Sequence, residues 1–422
     1  MTTIRLEVQY GARRVGNLRA DESNRFCFAY TTDWLQSPDA FPVSITLPLG
    51  PEESIGGPAH AFFANLLPEG LVRQAVCRRL GISETNDIDL LRAIGGECAG
   101  ALSIIDPAAP VEPPENAYEE LTAKRLQQLV ENDDRVVPLL IGGAETRLSL
   151  AGAQDKVPVA ILDGAIHLPL KGSPSTHILK LPNRRYPHLP QNEAFILGLA
   201  SRSGLECAAA ELTQPTSQAG LLVERYDRRR SDHPWPARRL HQEDLCQALG
   251  LLPSQKYEQE GGPTLAQAIA VARSNVVDPL LDVQRLIEWQ VFNAASGNAD
   301  GHGKNLSILY EAAGPRVAPF YDLVSTREYA SLDRLLAMSI GGRRNADELG
   351  HEQWSALAAD LDMRARVVID IVVRTLDAIS AALPSWTTEF RSKYGDQPIL
   401  QTLPGRIEKH VRRLRRAAKP KR

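Results

Sequence analysis

The hydrophobic pattern of this 422-residue chain changes near residue 227, and that change restricts the folds the chain can adopt. Before residue 227, apolar residues occur mainly in short alternating runs, which are typical of β-strands. The clearest of these runs cover residues 157–162, 166–170, 177–181 and 220–226. After residue 227, apolar residues recur at helical spacing, as over 283–295 and 366–383. The pattern therefore predicts a mostly β part followed by a mostly helical part.

A proline-rich stretch divides the β part into two units. Residues 107–114 (PAAPVEPP) have the composition of a stiff linker. We therefore expect an N-terminal β-rich domain over residues 1–106, a second lobe over 115–226 and an all-helical lobe over 227–422.

Local signals predict further elements inside the first two units. A helix is predicted between Pro68 and Gly81, because proline favours the first turn of a helix and glycine follows the last. Two more helices are predicted over 118–131 and 191–201. Short strands are predicted in the first domain over residues 4–10, 25–30 and 41–47.

Three polar residues between 300 and 322 have the spacing of a phosphoryl-transfer site. Asn305 follows Asp300 by five residues, and Asp322 follows Asn305 by seventeen. In such sites one Asp accepts the proton of the attacking hydroxyl, while an Asn and a second Asp hold magnesium. Protein kinases use H-R-D-x-x-x-x-N and D-F-G; here the interval from Asp to Asn is the same, and Tyr321 and Asp322 begin the second motif. The alternative for the Asp-to-Asn stretch is an ordinary polar loop after a helix.

Two earlier segments could bind nucleotide phosphates. Residues 151–156 (AGAQDK) form a small-residue turn before a predicted strand, where backbone N–H groups can approach phosphate oxygens. Lys180 ends another predicted strand, and a strand Lys is the usual partner of the α- and β-phosphates. Glu193, on the predicted helix, could hold Lys180 by an ion pair. A plain hairpin turn, an edge-strand Lys and a Glu that suits a helix start are the alternatives.

The junction between the β part and the helical part could contact an adenine. Glu224, Arg225 and Tyr226 end the last predicted strand, at the place where the joining segment of a two-lobed kinase offers backbone groups to the base. A strand end with surface charges is the alternative. The order of small-residue loop, strand Lys, junction, Asp-to-Asn loop and metal Asp favours a kinase.

Composition excludes several classes of protein. The net charge of −3 argues against a protein that coats nucleic acid over its whole surface. No run approaches the roughly 18 apolar residues of a membrane span, and residues 1–5 (MTTIR) are no secretory signal. The five cysteines lack metal-site spacing and suit reduced thiols. We therefore expect a cytoplasmic protein. Residues 404–422 hold nine Lys or Arg and one Glu, which suits either a solvated terminus or a nucleic-acid contact.

With these residues in view, the chain resembles the HipA family of bacterial serine/threonine kinases, the toxin halves of HipBA-type toxin–antitoxin modules. The likeness covers nearly the whole chain. In the N-terminal domain it rests on residues 16–18 (GNL), Tyr30 with 34–35 (WL), 45–49 (ITLPL) and 66–70 (LLPEG). In the remainder it rests on residues 151–156 (AGAQDK), 176–182 (THILKLP), 223–228 (VERYDR), 242–247 (QEDLCQ), 256–258 (KYE), 300–305 (DGHGKN) and 319–322 (PFYD).

The resemblance implies an α+β, two-lobed kinase-like fold with an additional N-terminal β-rich domain. It implies that Asp300 is the proton acceptor, that Asn305 and Asp322 bind Mg²⁺, and that Ser149 is autophosphorylated. The implied ATP-binding residues are Ala151, Gly152, Ala153, Gln154, Asp155, Lys156, Lys180, Glu224, Arg225, Tyr226, His302, Gly303, Lys304, Asn305, Tyr321 and Asp322.

The resemblance also implies partners. These are a HipB-like helix-turn-helix antitoxin, operator DNA reached through that antitoxin, and a protein substrate of the translation apparatus such as an aminoacyl-tRNA synthetase. Residues 359–362 (ADLD) are acidic where some members present basic residues to DNA, so the resemblance does not extend to a direct DNA contact there. The alternatives are a catalytically weak co-repressor, a small-molecule kinase, and a metallohydrolase with Asp300, His302 and Asp322 as ligands.

Overall fold

The computed structural model describes residues 4–108, 117–131, 156–170, 172–182, 185–213, 219–231 and 237–420. Residues 151–155 of the predicted phosphate loop and Ser149, the predicted phosphorylation site, lie outside these ranges. None of the helices in the described ranges is long and apolar enough to cross a lipid bilayer.

The N-terminal region is an antiparallel five-stranded sheet covered by short helices. The strands are β1 Arg5–Tyr10, β2 Arg13–Ala20, β3 Phe26–Tyr30, β4 Ser54–Ile55 and β5 Leu102–Ile105. They are ordered β4-β3-β2-β1-β5. The helices are Thr32–Leu35, Gly57–Ala64, Gly70–Leu80 and Asp87–Ile94. The predicted helix before Gly81 is present, and Gly81 closes it with φ of +66°, a left-handed value that glycine adopts without a Cβ clash.

One strand prediction in this region is wrong. Residues 41–47 form only an isolated bridge between Ser44 and Leu47. The polar groups of this segment instead bind Glu243, which lies in the part of the chain after residue 227. The backbone N–H of Ile45 and the hydroxyl of Ser44 both donate to the buried carboxylate of Glu243, at 3.0 and 2.5 Å. The segment therefore connects two regions rather than extending a sheet.

A second sheet follows. Its strands are β6 Tyr118–Glu120, β7 Lys156–Leu162, β8 Ala165–Pro169, β9 His177–Lys180, β10 Ala210–Thr213 and β11 Gly220–Glu224, in the order β10-β11-β9-β7-β8-β6. The helices Ala123–Glu131 and Leu189–Arg202 belong to the same part of the chain. Lys156 on β7 lies opposite Lys180 on β9, which places two ammonium groups on neighbouring strands.

The part that follows residue 227 is mainly helical, with helices Leu245–Leu249, Leu265–Asn275, Pro279–Ser296, His351–Asp360, Ala365–Tyr394 and Leu403–Ala417. The expectation of an all-helical lobe needs one correction. Strands β14 His241–Asp244, β15 Ser307–Glu311 and β16 Gly314–Val317 form an antiparallel sheet, and β12 Arg228–Arg230 with β13 Ala237–Arg239 and β17 Leu335–Ile340 with β18 Arg343–Asn345 form two further pairs. These strands have three to six residues, too few to show a period of two against the long helices.

Close packing fixes the helix Leu189–Arg202. Its Gly198 lies against the indole ring of Trp386, so closely that a Cβ at this position would clash with the ring. The indole N–H of Trp386 also donates to the carbonyl of Phe195, at 2.8 Å. The helix is therefore held by the long helix Ala365–Tyr394, which gives its buried residue Glu193 a fixed position.

Candidate active site

A cavity of about 560 Å³ lies where the three parts of the chain meet. The second sheet, the helical region and the N-terminal region all contribute residues to its wall. The wall includes these predicted site residues: Lys156, Lys180, Glu193, Glu224, Arg225, Tyr226, Asp300, His302, Lys304, Asn305, Tyr321 and Asp322. Asp300, Asn305 and Asp322, which the sequence spacing singled out, therefore line one cavity of the fold.

The loop that carries Asp300 is held by two asparagine side chains. The helix Pro279–Ser296 ends at Gly297, after which Asn298 accepts a hydrogen bond from the Asp300 N–H, at 3.0 Å. The amide nitrogen of Asn305 donates to the Asp300 carbonyl, also at 3.0 Å. The amide oxygen of Asn305 accepts no hydrogen bond from the described residues, so it is available to a cation.

The Asp300 carboxylate has a neighbour that the sequence did not predict for the site. The hydroxyl of Tyr257 donates to its Oδ1, at 2.5 Å. Burial and the charge of Asp300 raise the pKa of Tyr257, so this hydroxyl keeps its proton. The ring of Tyr257 also meets the His302 ring edge-on, with centroids 5.0 Å apart. Burial lowers the pKa of His302, which favours a neutral imidazole beside the carboxylate.

Asp322 has a backbone conformation that is uncommon for a residue with a side chain. Its φ is +53°, and such left-handed residues are concentrated at functional sites. Its carboxylate forms an ion pair with the Lys180 ammonium. Burial alone would raise the pKa of Asp322, but the charges of Lys180 and Lys156 outweigh it and lower that pKa. The carboxylate is therefore ionised, as a metal ligand must be.

Lys180 contacts a second carboxylate. Its ammonium lies 2.5 Å from Glu193 Oε1, and both side chains are almost completely buried. Burial would lower the pKa of Lys180, but Asp322 and Glu193 outweigh it and raise that pKa. The ion pair between Glu193 and Lys180, which the sequence analysis considered, is thus present. For neighbouring Lys156, burial is the main effect and lowers the pKa.

The junction residues divide into two groups. The rings of Tyr226 and Tyr321 are stacked with centroids 5.3 Å apart and form an aromatic wall of the cavity. The N–H groups of Glu224 and Arg225 are already bonded to the backbone carbonyls of Ala209 and Thr176, at 2.8 and 3.0 Å. Those two N–H groups are therefore not available to an adenine.

The Arg225 side chain turns away into a buried ion-pair cluster that sequence reasoning missed. Its guanidinium contacts Asp227, at 2.8 Å, and Glu97 of the N-terminal region, at 3.1 Å. Arg228 contacts the same Glu97 at 2.5 Å. Burial would raise the pKa of Glu97, but the arginines outweigh it and lower that pKa to about 2. The sequence signal was the six charged residues among the seven at 224–230, a pattern that is more often a solvated surface.

Gly303 also has a structural role. A Cβ at this position would lie 2.5 Å from Cγ of Pro263 and 3.0 Å from the Cys246 sulfur. The backbone of the loop from Asp300 to Asn305 therefore packs directly against Pro263 and Cys246 at this point, and a larger residue would displace one of them.

Comparison with known proteins identifies the family. The HipA-like C-terminal domain family matches residues 148–383, which is more than half of the chain, and the HipA N-terminal domain family matches residues 6–105. The chain belongs to the HipA family. Among curated relatives, the putative kinase Y4mE of Sinorhizobium fredii is 39% identical to this HipA-family chain over 91% of this chain and 93% of the relative. The serine/threonine-protein kinase toxin HipA of Shewanella oneidensis is 32% identical over 90% and 89%.

Solved structures agree with this assignment. The structure of the Shewanella oneidensis toxin–antitoxin system HipA, HipB and its operator DNA matches this HipA-family chain with a TM-score of 0.84 and 28% identity, covering 98% of each chain. The predicted α+β, kinase-like fold class is confirmed, and the chain is a kinase of this family.

The residues around the cavity fit a magnesium nucleotide. Among the described residues, no group of three or more His, Cys, Asp or Glu side chains could hold a metal ion. Magnesium bound with a nucleotide does not need such a group, because it uses one or two protein ligands and completes its shell with phosphate oxygens and water. Asp322 and the oxygen of Asn305 are of this kind, and both line the cavity.

Proposed function

We propose that this HipA-family kinase transfers the γ-phosphoryl group of ATP to a serine or threonine hydroxyl of a cellular protein, with Mg²⁺. One observation carries the proposal: Lys180 contacts both Glu193 and Asp322 in the cavity that contains Asp300 and Asn305. Protein kinases require a Lys–Glu ion pair and a metal-binding Asp to be in place together. The similarity to the Shewanella serine/threonine-protein kinase toxin supports a serine or threonine acceptor.

Each active-site residue receives a role in this proposal. Tyr257 occupies Oδ1 of Asp300, so the other carboxylate oxygen accepts the proton of the attacking hydroxyl. Asn305 and Asp322 hold Mg²⁺, which when bound neutralises charge on the phosphates. Lys180, kept protonated by its two carboxylates, binds the phosphates.

The remaining nucleotide contacts follow from the wall of the cavity. Lys156 adds a second cation beside Lys180. Tyr226 and Tyr321 supply the aromatic surface for the base. Residues 302–305 complete the pocket. Residues 151–155 remain in the proposal as a phosphate-binding loop on sequence grounds alone, because they lie outside the described residues.

The cellular role that we propose is that of a toxin in a toxin–antitoxin module. The Shewanella HipA structure contains HipB and operator DNA, which supports a HipB-like helix-turn-helix antitoxin as partner here and operator DNA as an indirect one. We propose a substrate in the translation apparatus, such as an aminoacyl-tRNA synthetase, and inactivation by autophosphorylation of Ser149. We place the protein in the cytoplasm, where its five free cysteines would stay reduced.

The decisive test is the variant Asp300→Asn, in which an amide replaces the proton acceptor. In the presence of Mg²⁺, we would measure the rate at which label is transferred from γ-phosphate-labelled ATP to the chain itself and to casein, a generic acceptor. We expect Asp300→Asn to lose at least about 10²-fold in rate while it melts at the temperature of the wild type. A variant that transfers phosphate as fast as the wild type would refute the proposal.

A further inference from the structure

The N-terminal region supplies one carboxylate to the catalytic cavity. Glu69 directly precedes the helix Gly70–Leu80 and lines the same cavity as Asp300. Its Oε1 lies 2.6 Å from the Lys304 ammonium, and its Oε2 lies 2.9 Å from the Lys256 ammonium. Both lysines belong to the helical region. We call these three side chains the Glu69 bridge.

Both lysines of the Glu69 bridge belong to segments that position Asp300. Lys304 lies inside the loop from Asp300 to Asn305, and its carbonyl accepts a hydrogen bond from Tyr321 at 2.8 Å. The carbonyl of Lys256 accepts from the Gly303 N–H, at 3.0 Å. Tyr257, the next residue, donates to Asp300. A shift of either lysine would therefore move the catalytic loop or its tyrosine.

The charge balance explains why a carboxylate is needed here. The Lys304 side chain is only 5% exposed, and its other contact among the described residues is the Asn65 carbonyl, at 3.2 Å. A buried ammonium that loses its charged partner is strongly destabilised and moves toward another anion. Asp244, Asp300 and Asp322 line the same cavity and would compete for the ammonium. Without the Glu69 carboxylate, Lys304 would turn toward the reacting groups.

We propose that Glu69 is a positioning residue for phosphoryl transfer, which makes the N-terminal region part of the catalytic apparatus. The Glu69 bridge fixes the catalytic loop through Lys304 and Tyr257 through Lys256. This inference rests on the proposed kinase function.

The first test is Glu69→Gln, which removes the charge and keeps the shape. We expect kcat for transfer of labelled phosphate to casein to fall by about 10²-fold, a loss that a misplacement of about 1 Å can cause. The Kd for ATP with Mg²⁺, measured by calorimetry, should not rise. A matched control is Glu53→Gln, which breaks the ion pair with Arg19 in the same region and does not line the cavity. The control should behave as the wild type.

A purely structural role would not lower kcat while leaving the Kd for ATP unchanged. If Glu69→Gln raises Kd for ATP and leaves kcat unchanged, Glu69 serves nucleotide binding only and the inference is wrong. Glu69→Asp keeps the charge on a shorter side chain and should recover part of the lost kcat. An Asp variant as slow as the Gln variant would also contradict the inference.

A double variant tests whether Glu69 acts through Lys304. In a Lys304→Gln background, Glu69→Gln should lower kcat by a smaller factor than in the wild type, because only the contact with Lys256 remains to be lost. Additive losses would overturn the inference. If Glu69→Gln alone does not fold, the double variant replaces it, since it leaves fewer buried charges unpaired. Its kcat should then fall below that of Lys304→Gln by much less than the roughly 10²-fold loss expected of Glu69→Gln in the wild type.

These outcomes separate the inference from the function on which it rests. If the wild type transfers no label, or if Asp300→Asn transfers as much, the kinase proposal fails. If the wild type is active, Asp300→Asn is inactive and Glu69→Gln equals the wild type, only the role of Glu69 fails.

Discussion

The ammonium of Lys180 lies 2.5 Å from the Oε1 of Glu193, and each side chain is 3% exposed. This ion pair joins the strand His177–Lys180 to the helix Leu189–Arg202, which is held in turn by Trp386. The position of the Lys180 ammonium, the proposed phosphate-binding group, therefore depends on a helix that is packed deep inside the molecule.

The first prediction concerns a variant that lacks the ion pair between Glu193 and Lys180. In Glu193→Gln, Lys180 should remain paired with Asp322 and pull that carboxylate away from the proposed metal position, so kcat should fall by at least about 10-fold. The measurement is transfer of labelled phosphate to casein. Glu389→Gln is the matched control, because it breaks an exposed pair with Arg202 on the same helix, which is worth about 0–1 kcal/mol. Wild-type kinetics in Glu193→Gln would show that the pair is only structural.

The second prediction compares the two proposed metal ligands. Asp322→Ala should abolish the magnesium dependence of ATP binding, because it removes the negative charge that faces the cation. Asn305→Ala should weaken that dependence less, since it removes a neutral oxygen. Calorimetric titration with ATP, with and without Mg²⁺, distinguishes them. Undiminished magnesium-dependent affinity in both variants would mean that neither residue binds the metal.

The third prediction concerns Ser149, whose proposed role depends on the sequence. A phosphate two residues before the AGAQDK segment would add nearly two negative charges beside a triphosphate. We expect incubation with ATP and Mg²⁺ to add phosphate at Ser149, as detected by intact-mass and peptide mass spectrometry. Ser149→Asp should bind ATP more weakly than Ser149→Ala. Phosphate found only at other residues would remove the regulatory role and leave the kinase proposal standing.

The sequence predicts those parts of the site that depend on neighbours along the chain. The interval from Asp300 to Asn305 sets a loop that the Asn305 amide closes on the Asp300 carbonyl. Lys180 and Glu193 are thirteen residues apart, on a strand and the next helix, so their ion pair was also within reach of local reasoning. Strands β7 to β9 and β11 were also predictable, because the alternation of apolar residues that indicates a strand is a property of neighbours along the chain.

Contacts between distant segments could not be predicted in this way. Glu69 and Lys304 come from different regions, and Arg225 contacts Glu97 across 128 positions of sequence. Each of these residues, taken alone, looks like a solvated charge, because charged residues are rarely buried without a partner. Only the fold shows that their partners are buried with them.

The fourth prediction concerns pH. Burial raises the pKa of Glu243 from its ordinary value of 4.5 to about 7, against hydrogen bonds from Ser44, Tyr310 and Ile45 that favour the charged form. Between pH 4.5 and 7 the folded chain therefore holds a proton that the unfolded chain has lost, so the free energy of unfolding falls as pH rises through this window. Relative to Glu243→Gln, which cannot titrate, the wild type should lose on the order of 3 kcal/mol.

Urea unfolding of both proteins at pH 5 and pH 8 measures this difference. Burial also raises the pKa of the neighbouring Asp244, to about 6, and the comparison controls for it because the variant retains Asp244. Parallel behaviour of the two proteins across this range would show that Glu243 titrates normally.

The fifth prediction concerns the ion-pair cluster that connects the N-terminal region to the junction. Glu97 is completely buried and accepts hydrogen bonds from Arg225, Arg228 and the Ser175 hydroxyl. In Glu97→Ala, Asp227 is the one carboxylate among the described residues that still pairs with the two guanidinium groups, so the free energy of unfolding in urea should fall by about 3–5 kcal/mol. The control Glu211→Ala removes an exposed partner of Lys393 and should stay within about 0.5 kcal/mol of the wild type. A Glu97→Ala variant as stable as this control would mean that Asp227 alone balances both arginines.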